Sequence, residues 1–454
     1  MSPWRRRDVL AGLGVGSMSA LLWGCAPARR LAVAAPAEVD PADVHAWLVD
    51  AVERLTPRYP EVIASVERRR RRVVSPRGID DAVTVGAVIS VVDPRGRRRE
   101  RATDVVTAAA VDGLVRELGG GQPRKPWSPP STTIEEPPPP PRRLDAWQHA
   151  VRALGERLDQ AAGGAGDHLA VEAVLDDDGR WIVGHDRALV SHARRQRLGL
   201  AVASWVGTRP HLARLVRGDR GTDRGFVVDD DELAAVVAAA RALPSPGARL
   251  AVLDAEVVLT PPVAAALALA LAEARPPVAA PEVALDRAII VDDAGADVAY
   301  GGVGRDALGD LAVATAVLTD AGLAASPPAR GRRHRPQPTS ASAPAVGHVA
   351  WRPGTEEEVA LAVGARYRLE EPRAIDVDPA AGVVTVLVER ARGLAAGAAT
   401  DELHGRVAWR VPLVALAAAR RSRAVGAWIA PGAAPRSASA PTVRARGELR
   451  SVRG

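Results

Sequence analysis

Five consecutive prolines at 137–141 lie in a stretch, 122–143, that can be neither regular helix nor sheet, because each proline lacks an amide N–H and fixes its own φ. Such a stretch is a semi-rigid spacer. A second domain is therefore expected to begin after it, and 454 residues at ~150 per domain predict two or three domains. A hydrophobic fraction of 47% and a charged fraction of 25% are those of a globular protein and exclude wholesale disorder. Aromatic residues make up only 3%, so the cores are to be built from Val, Leu and Ala. The net charge of +6 comes from arginine, Lys125 being the single lysine. Bases and acids are interspersed rather than gathered on one tail, so nucleic acid is not expected as a partner.

The first 25 residues read as an export signal. Arg5-Arg6-Arg7-Asp8-Val9-Leu10 precedes an uncharged apolar stretch too short to span a bilayer. Arg6 and Arg7 resemble the pair of a twin-arginine signal, with Val9 where Phe is usual. Leu22-Trp23-Gly24-Cys25 resembles a lipobox, in which Cys25 receives lipid and becomes the mature N-terminus; Trp23 is bulkier than the small residues usual there. Cys25 is the only cysteine, so no intrachain disulfide can form. The chain is expected to be exported and lipid-anchored, facing the periplasm or outside. Residues 26–39 are an Ala/Pro-rich tether.

The pattern predicts an α+β fold: an N-terminal α/β domain with antiparallel strands (40–121), the linker (122–143), a β-rich middle domain (144–245) and a mixed α+β C-terminal domain (246–454). In the first, Val44, Trp47, Leu48, Ala51, Val52 and Leu55 recur at helical spacing, β-branched stretches cover 62–66, 73–74 and 83–92, and a second helix covers 104–118. The arginine run at 68–72 is expected on an exposed edge strand, where charge discourages edge pairing. Since side chains alternate along a strand, the run cannot form a one-sided basic ridge. The middle domain predicts a helix over 144–160, strands at 169–175, 181–183, 188–190 and 198–206, and a helix over 233–243 with acids at its start. Asp176, Asp177, Asp178 and Gly179 read as a hairpin turn. In the last domain, strands are expected at 249–253, 288–291, 375–388, 407–413 and 443–448, a buried Ala/Leu helix at 263–274, and a loop at 324–344. No repeat of fixed period is present.

No local motif for catalysis or metal binding emerges. The nine histidines include no pair spaced His-x-x-x-His and none followed by Glu. His185 and His192 flank a predicted hairpin, a position that more often holds surface or satisfied residues. The acidic clusters lack calcium-loop spacing. Gly301-Gly302-Val303-Gly304 lacks the Lys and Ser/Thr of a phosphate cradle, and Ser191-His192 has no nucleophile elbow around it.

The order of segments nevertheless resembles the TldD/PmbA family, two-subunit metallopeptidases once called modulators of DNA gyrase. The resemblance is carried over about 40–454 by Arg194 and Arg197 leading into Arg220-Gly221-Thr222-Asp223-Arg224-Gly225-Phe226, and by Arg249-Leu250-Ala251-Val252-Leu253-Asp254 with Pro262 before the Ala/Leu helix. Further carriers are Asp292-Asp293, Tyr300-Gly301, Val317-Leu318-Thr319-Asp320, Gly331-Arg332-Arg333, Trp351-Arg352-Pro353-Gly354 and Ala440-Pro441-Thr442-Val443-Arg444. Catalytic members carry His-Glu-x-x-x-His on the helix after that proline and a Cys near the C-terminus, which together hold zinc. Here the helix reads Ala264-Ala265-Ala266-Leu267-Ala268-Leu269-Ala270-Leu271-Ala272-Glu273 and no late Cys is present. The resemblance thus implies a divergent, non-catalytic partner subunit of a zinc-bearing TldD-like protein, or a homodimer, able to accommodate peptides. No catalytic residue, metal or cofactor is expected. The alternatives are a stand-alone envelope lipoprotein that binds peptides or a partner, and an active metallopeptidase using unmatched residues, for which Arg332, Arg333, His334 and His348 are the cleft-loop candidates.

Overall fold

A computed structural model describes residues 41–121, 127–135, 144–163, 167–206, 209–220, 227–242, 250–275, 284–293, 295–296, 299–325, 332–335, 337–430 and 436–452. The export signal with Arg6, Arg7 and Cys25, the tether and most of the proline-rich linker lie outside them.

The first half is built on one seven-stranded sheet. Its elements are α1 (Pro41–Leu55), β1 (Glu61–Ser75), β2 (Gly78–Val92), β3 (Arg98–Thr103), α2 (Ala108–Glu117), β4 (Thr132–Ile134), α3 (Leu144–Ala162), β5 (His168–Gly184), β6 (Ala188–Val206), β7 (Arg209–Arg220) and α4 (Asp230–Arg241). Strand order is β3-β2-β1-β5-β6, with β4 and β7 both on the far side of β6. The sheet therefore joins the segments before and after the linker, through the antiparallel β1–β5 pair. The predicted apolar stripe of α1 is buried, with α2, against Val62, Ala64, Val66, Ala87 and Ile89. Helices α3 and α4 cover Val171, Ala173, Leu175, Leu198 and Leu200. Helix α4 starts where its acids lie: Asp229 caps Glu232 N–H and the Glu232 side chain returns to the Asp229 N–H, a reciprocal capping box.

The second half contains β8 (Leu253–Leu259), α5 (Pro261–Glu273), β9 (Ala288–Asp292), β10 (Thr315–Thr319), β11 (Gly322–Leu323), β12 (Arg333–His334), β13 (Ala343–Pro344), β14 (His348–Trp351) and α6 (Glu358–Ala362), followed by β15 (Tyr367–Asp378), β16 (Val383–Ala395), β17 (Ala398–Pro412), α7 (Leu413–Ala417), β18 (Arg420–Ile429) and β19 (Ser437–Ser451). Strands β8, β15, β16, β17 and β19 pair in turn, and β19 returns to β8, so the five close into a barrel. Closure removes the open edges. Helix α5 is buried on every side, and Val263, Ala264, Ala265, Leu267, Ala268 and Leu271 pack in one cluster with Val349 and Trp351 of β14 and with Leu369, Val443 and other barrel residues. A helix that is apolar all round belongs in a core, and the small side chains of its six alanines let strands approach it closely.

Several sequence expectations change. The predicted strands at 169–175 and 181–183 are one strand, as are those at 188–190 and 198–206, because the polar residues between them keep pairing. The expected single strand at 375–388 is a hairpin, turning between Asp378 and Val383. The strand placed at 249–253 begins instead at Leu253 and runs to Leu259. Within the expected loop at 324–344, Arg333–His334 pairs with Ala343–Pro344.

Candidate functional site

Alternation along β1 sends Ser65, Glu67, Arg69 and Arg71 to one face and Val66, Arg68, Arg70, Arg72 and Val74 to the other. Register places Glu67 opposite Arg180, Arg69 opposite Asp178 and Arg71 opposite Asp176 on β5. Asp176 in turn faces Arg195 on β6, with Arg197 two residues on. The arginine run is thus not an edge: β1 lies between β2 and β5. Nor do Asp176, Asp177 and Asp178 make a turn, since all three are in mid-strand. Basic and acidic runs neutralise each other across strands, which lets a charged stretch occupy the middle of a sheet.

One face of this ladder meets the second half of the molecule. Arg69 donates to Glu67 at 2.7 Å and to the carbonyl of Arg335 at 2.6 Å. Arg180 donates to Glu67 at 3.2 Å. Arg195 donates to Asp178 at 2.7 Å and to the carbonyl of Gly302 at 3.3 Å. From the opposite side Arg335 donates to Ser65 at 3.1 Å, and Ser342 donates through its N–H and hydroxyl to Glu100 at 2.7 and 2.6 Å. The seam between the halves is therefore polar and charged.

Its electrostatics follow from burial among guanidinium groups. Burial opposes ionisation of Glu67, but Arg180, Arg69 and Arg335 outweigh it and hold the carboxyl down at about 2. His334 goes down to about 3, through burial and the positive charge of Arg180, Arg69 and Arg195, and so is a neutral imidazole at physiological pH. Burial pushes Asp176 and Tyr300 up, Arg71 and Arg197 respectively opposing it. Asp306 is also raised by burial, although the Leu308, Arg333 and Asp310 amides donate to it.

The four cleft-loop candidates engage different partners. Arg332 is buried and donates to Asp292, which also accepts from Arg275 at 2.8 Å. Burial and the neighbouring Arg332 bring Arg275 down to about 10. Arg333 donates to the Ser342 carbonyl at 3.2 Å. His334 interacts electrostatically with Arg180, Arg69, Arg195 and Glu67 of the seam. His348 on β14 is hydrogen-bonded through Nδ1 to Ser437 at 2.9 Å and through Nε2 to Ser439 at 3.2 Å, and burial lowers its pKa. Ser437 also accepts from Gly301 N–H at 2.8 Å, and a Cβ on Gly301 would run into the Gly347 carbonyl. That close approach accounts for the glycine that sequence reading weighed against a phosphate cradle.

The helix that would carry zinc ligands by resemblance, α5, presents only aliphatic side chains to its surroundings. Glu273, at its end, is half-exposed and paired with Arg436. Among the described residues, no group of three or more His, Cys, Asp or Glu is placed to hold a metal ion. Methyl and isobutyl groups donate no electron pair, so these residues do not fit zinc. Sequence reading missed Glu67, Arg180, Arg195 and Arg335. The available signal was the complementarity of the runs at 68–72, 176–178 and 194–197, which emerges only when the strands are set in register.

No family model and no curated protein sequence matches the chain. Solved structures do. TldE from Thermococcus kodakarensis superposes with a TM-score of 0.65 at 12% identity, covering 89% of this chain and 100% of that one. The chain has the TldD/PmbA fold. A candidate modulator of DNA gyrase from Thermotoga maritima gives 0.61 at 12% identity, over 86% and 96%. Another from Bacteroides thetaiotaomicron gives 0.58 at 11%, over 91% and 100%. At such identity the likeness is one of fold, with side-chain chemistry free to differ.

Proposed function

We propose that this chain is an exported, lipid-anchored, non-catalytic TldD/PmbA-like subunit that forms a peptide-accommodating assembly with a zinc-bearing relative. What supports the proposal is the aliphatic α5 in a chain whose fold is that of TldE: by the resemblance, the helix that carries His-Glu-x-x-x-His in catalytic members reads alanine and leucine here. Hydrolysis through zinc needs ligands and a base for the bound water. The likeness to TldE, which extends over the whole of that chain, supports a partner role. Arg6, Arg7 and Cys25 support export and lipidation.

The test is to express the chain alone and together with a relative carrying His-Glu-x-x-x-His. Alone it is expected to bind no stoichiometric zinc and cleave no peptide; together the two should run as one heteromer by native mass spectrometry. One tightly held zinc per chain with peptide hydrolysis would sink the proposal. Palmitate incorporation that disappears in Cys25→Ser tests the anchor. A stand-alone envelope protein that binds peptides is the second reading; a heteromer would exclude it.

A further inference from the structure

Helices α1 and α2 leave an open groove of about 400 Å3 between them, walled by Ala46, Trp47 and Asp50 of α1 and by Ala108, Ala109 and Asp112 of α2. Ala46, Ala108 and Ala109 are exposed, and their methyl groups leave the space that larger side chains would fill. In a chain of net charge +6, the two helices carry five carboxylates to two arginines. Asp50 pairs with Arg54, Asp112 with Arg54 and Arg116, and Glu117 with Arg101. Asp43 and Glu53 make no ion pair among the described residues. Arg58, beyond the end of α1, donates instead to the Gly119 carbonyl at 3.2 Å.

Residues 26–40, outside the described residues, lead directly into α1 at Pro41. Their apolar side chains are small, Leu31 being the largest, and their only cations are Arg29 and Arg30. We infer that this segment turns back along α1 and docks in the groove. Leu31 and Val33 then lie beside Trp47 and the alanines, and Arg29 and Arg30 reach the acidic end at Asp50, Glu53 and Asp112. Glu53 is about 18 Å along α1 from Pro41. Extended residues 30–35 cover that span and leave 36–40, with Pro36, to make the turn. Docking leaves only 26–28 between Cys25 and the groove, about 10 Å of chain instead of a leash of up to ~50 Å, so the first-half sheet is held close to the bilayer. That consequence rests on the lipid-anchored reading above. The docking itself does not, and its test uses unlipidated protein, so its failure is distinguishable from failure of the anchor.

Amide hydrogen exchange of residues 28–35 is to be compared between the chain beginning at Ala26 and a free peptide of residues 26–40. Exchange is expected to be at least ~10-fold slower in the chain, because docked amides exchange only when the segment opens. Ala46→Trp, which fills the groove, and the double variant Arg29→Glu/Arg30→Glu should each restore the rate of the free peptide. Ala150→Trp, on the exposed face of α3, should leave the slow rate unchanged. Exchange as fast as in the free peptide, or protection that survives either the filled groove or the reversed charges, would overturn the inference. So would protection that grows with protein concentration, which would give the groove to the segment of a second copy. Thermal melting of each variant separates loss of docking from loss of fold.

Discussion

At the scale of single residues, Glu67 and His334 face each other's field in the seam and both make stability depend on acid. The carboxyl of Glu67 drops from 4.5 to about 2 on folding. A depressed carboxyl pKa means stability that is fully present above the unfolded value and lost as pH falls through the folded one. The drop corresponds to something on the order of 3 kcal/mol. Glu67→Gln should therefore lower urea-unfolding stability by about this amount at pH 7 and by much less near pH 2. His334 works in the same direction by a different route. Its folded pKa of about 3 lies below the ordinary 6.5. Between those values the unfolded chain takes up a proton that the folded protein refuses, so stability falls as pH falls from 6.5 toward 3. His334→Gln should flatten the stability profile across that window and change little above it. An unaltered slope would mean that the imidazole is not held among the guanidinium groups as described.

At the scale of elements, α5 is held by packing and α4 by its cap, and the two should respond differently. Leu267 is fully buried. Leu267→Ala leaves a cavity among close-packed barrel strands and is expected to cost about 2–5 kcal/mol. Asp229→Ala removes only the capping-box acceptor of α4, at about 1 kcal/mol. Denaturant titration of the two variants checks the ranking, and reversal would place α4 rather than α5 at the centre of stability. These elements also show what the sequence made legible. The apolar run of α5, the stripe of α1 and the acids at the head of α4 are local signals, and each element lies where its own residues put it. Strand lengths were less legible, because polar residues such as Asp176 and Arg194 interrupt the apolar pattern without interrupting the pairing. The seam was hidden for the same reason. Arg180 finds Glu67 at a sequence separation of 113, and no window along the chain contains both.

At the scale of the whole molecule, the two halves have separate apolar cores and meet through charges. The helix-covered clusters of the first half do not extend into the barrel core. Besides the bonds of the seam, Arg187 reaches Asp310 at 2.5 Å and Arg305 reaches Glu135 at 2.6 Å across the junction. A small apolar bridge, Ile63, Ile182, Leu189 and Leu308, is the exception. Apolar cores keep their driving force in acid, whereas the ion pairs at the junction depend on ionised carboxyls. Glu100 belongs to that set: burial raises it, but bonds from Ser342 and the charge of Arg335 bring it below its ordinary value. Acid should therefore part the halves before either core melts. At pH 7.5 urea should unfold the protein in one transition, seen together by tryptophan fluorescence and far-ultraviolet circular dichroism. At about pH 3, below the ordinary carboxyl range, the two probes should separate. Hydrogen exchange should then increase first at the facing segments, β1 and residues 299–310, while α5 remains protected. Coincident transitions at both pH values, or early exchange in α5, would show that the apolar bridge and not the charged seam joins the molecule.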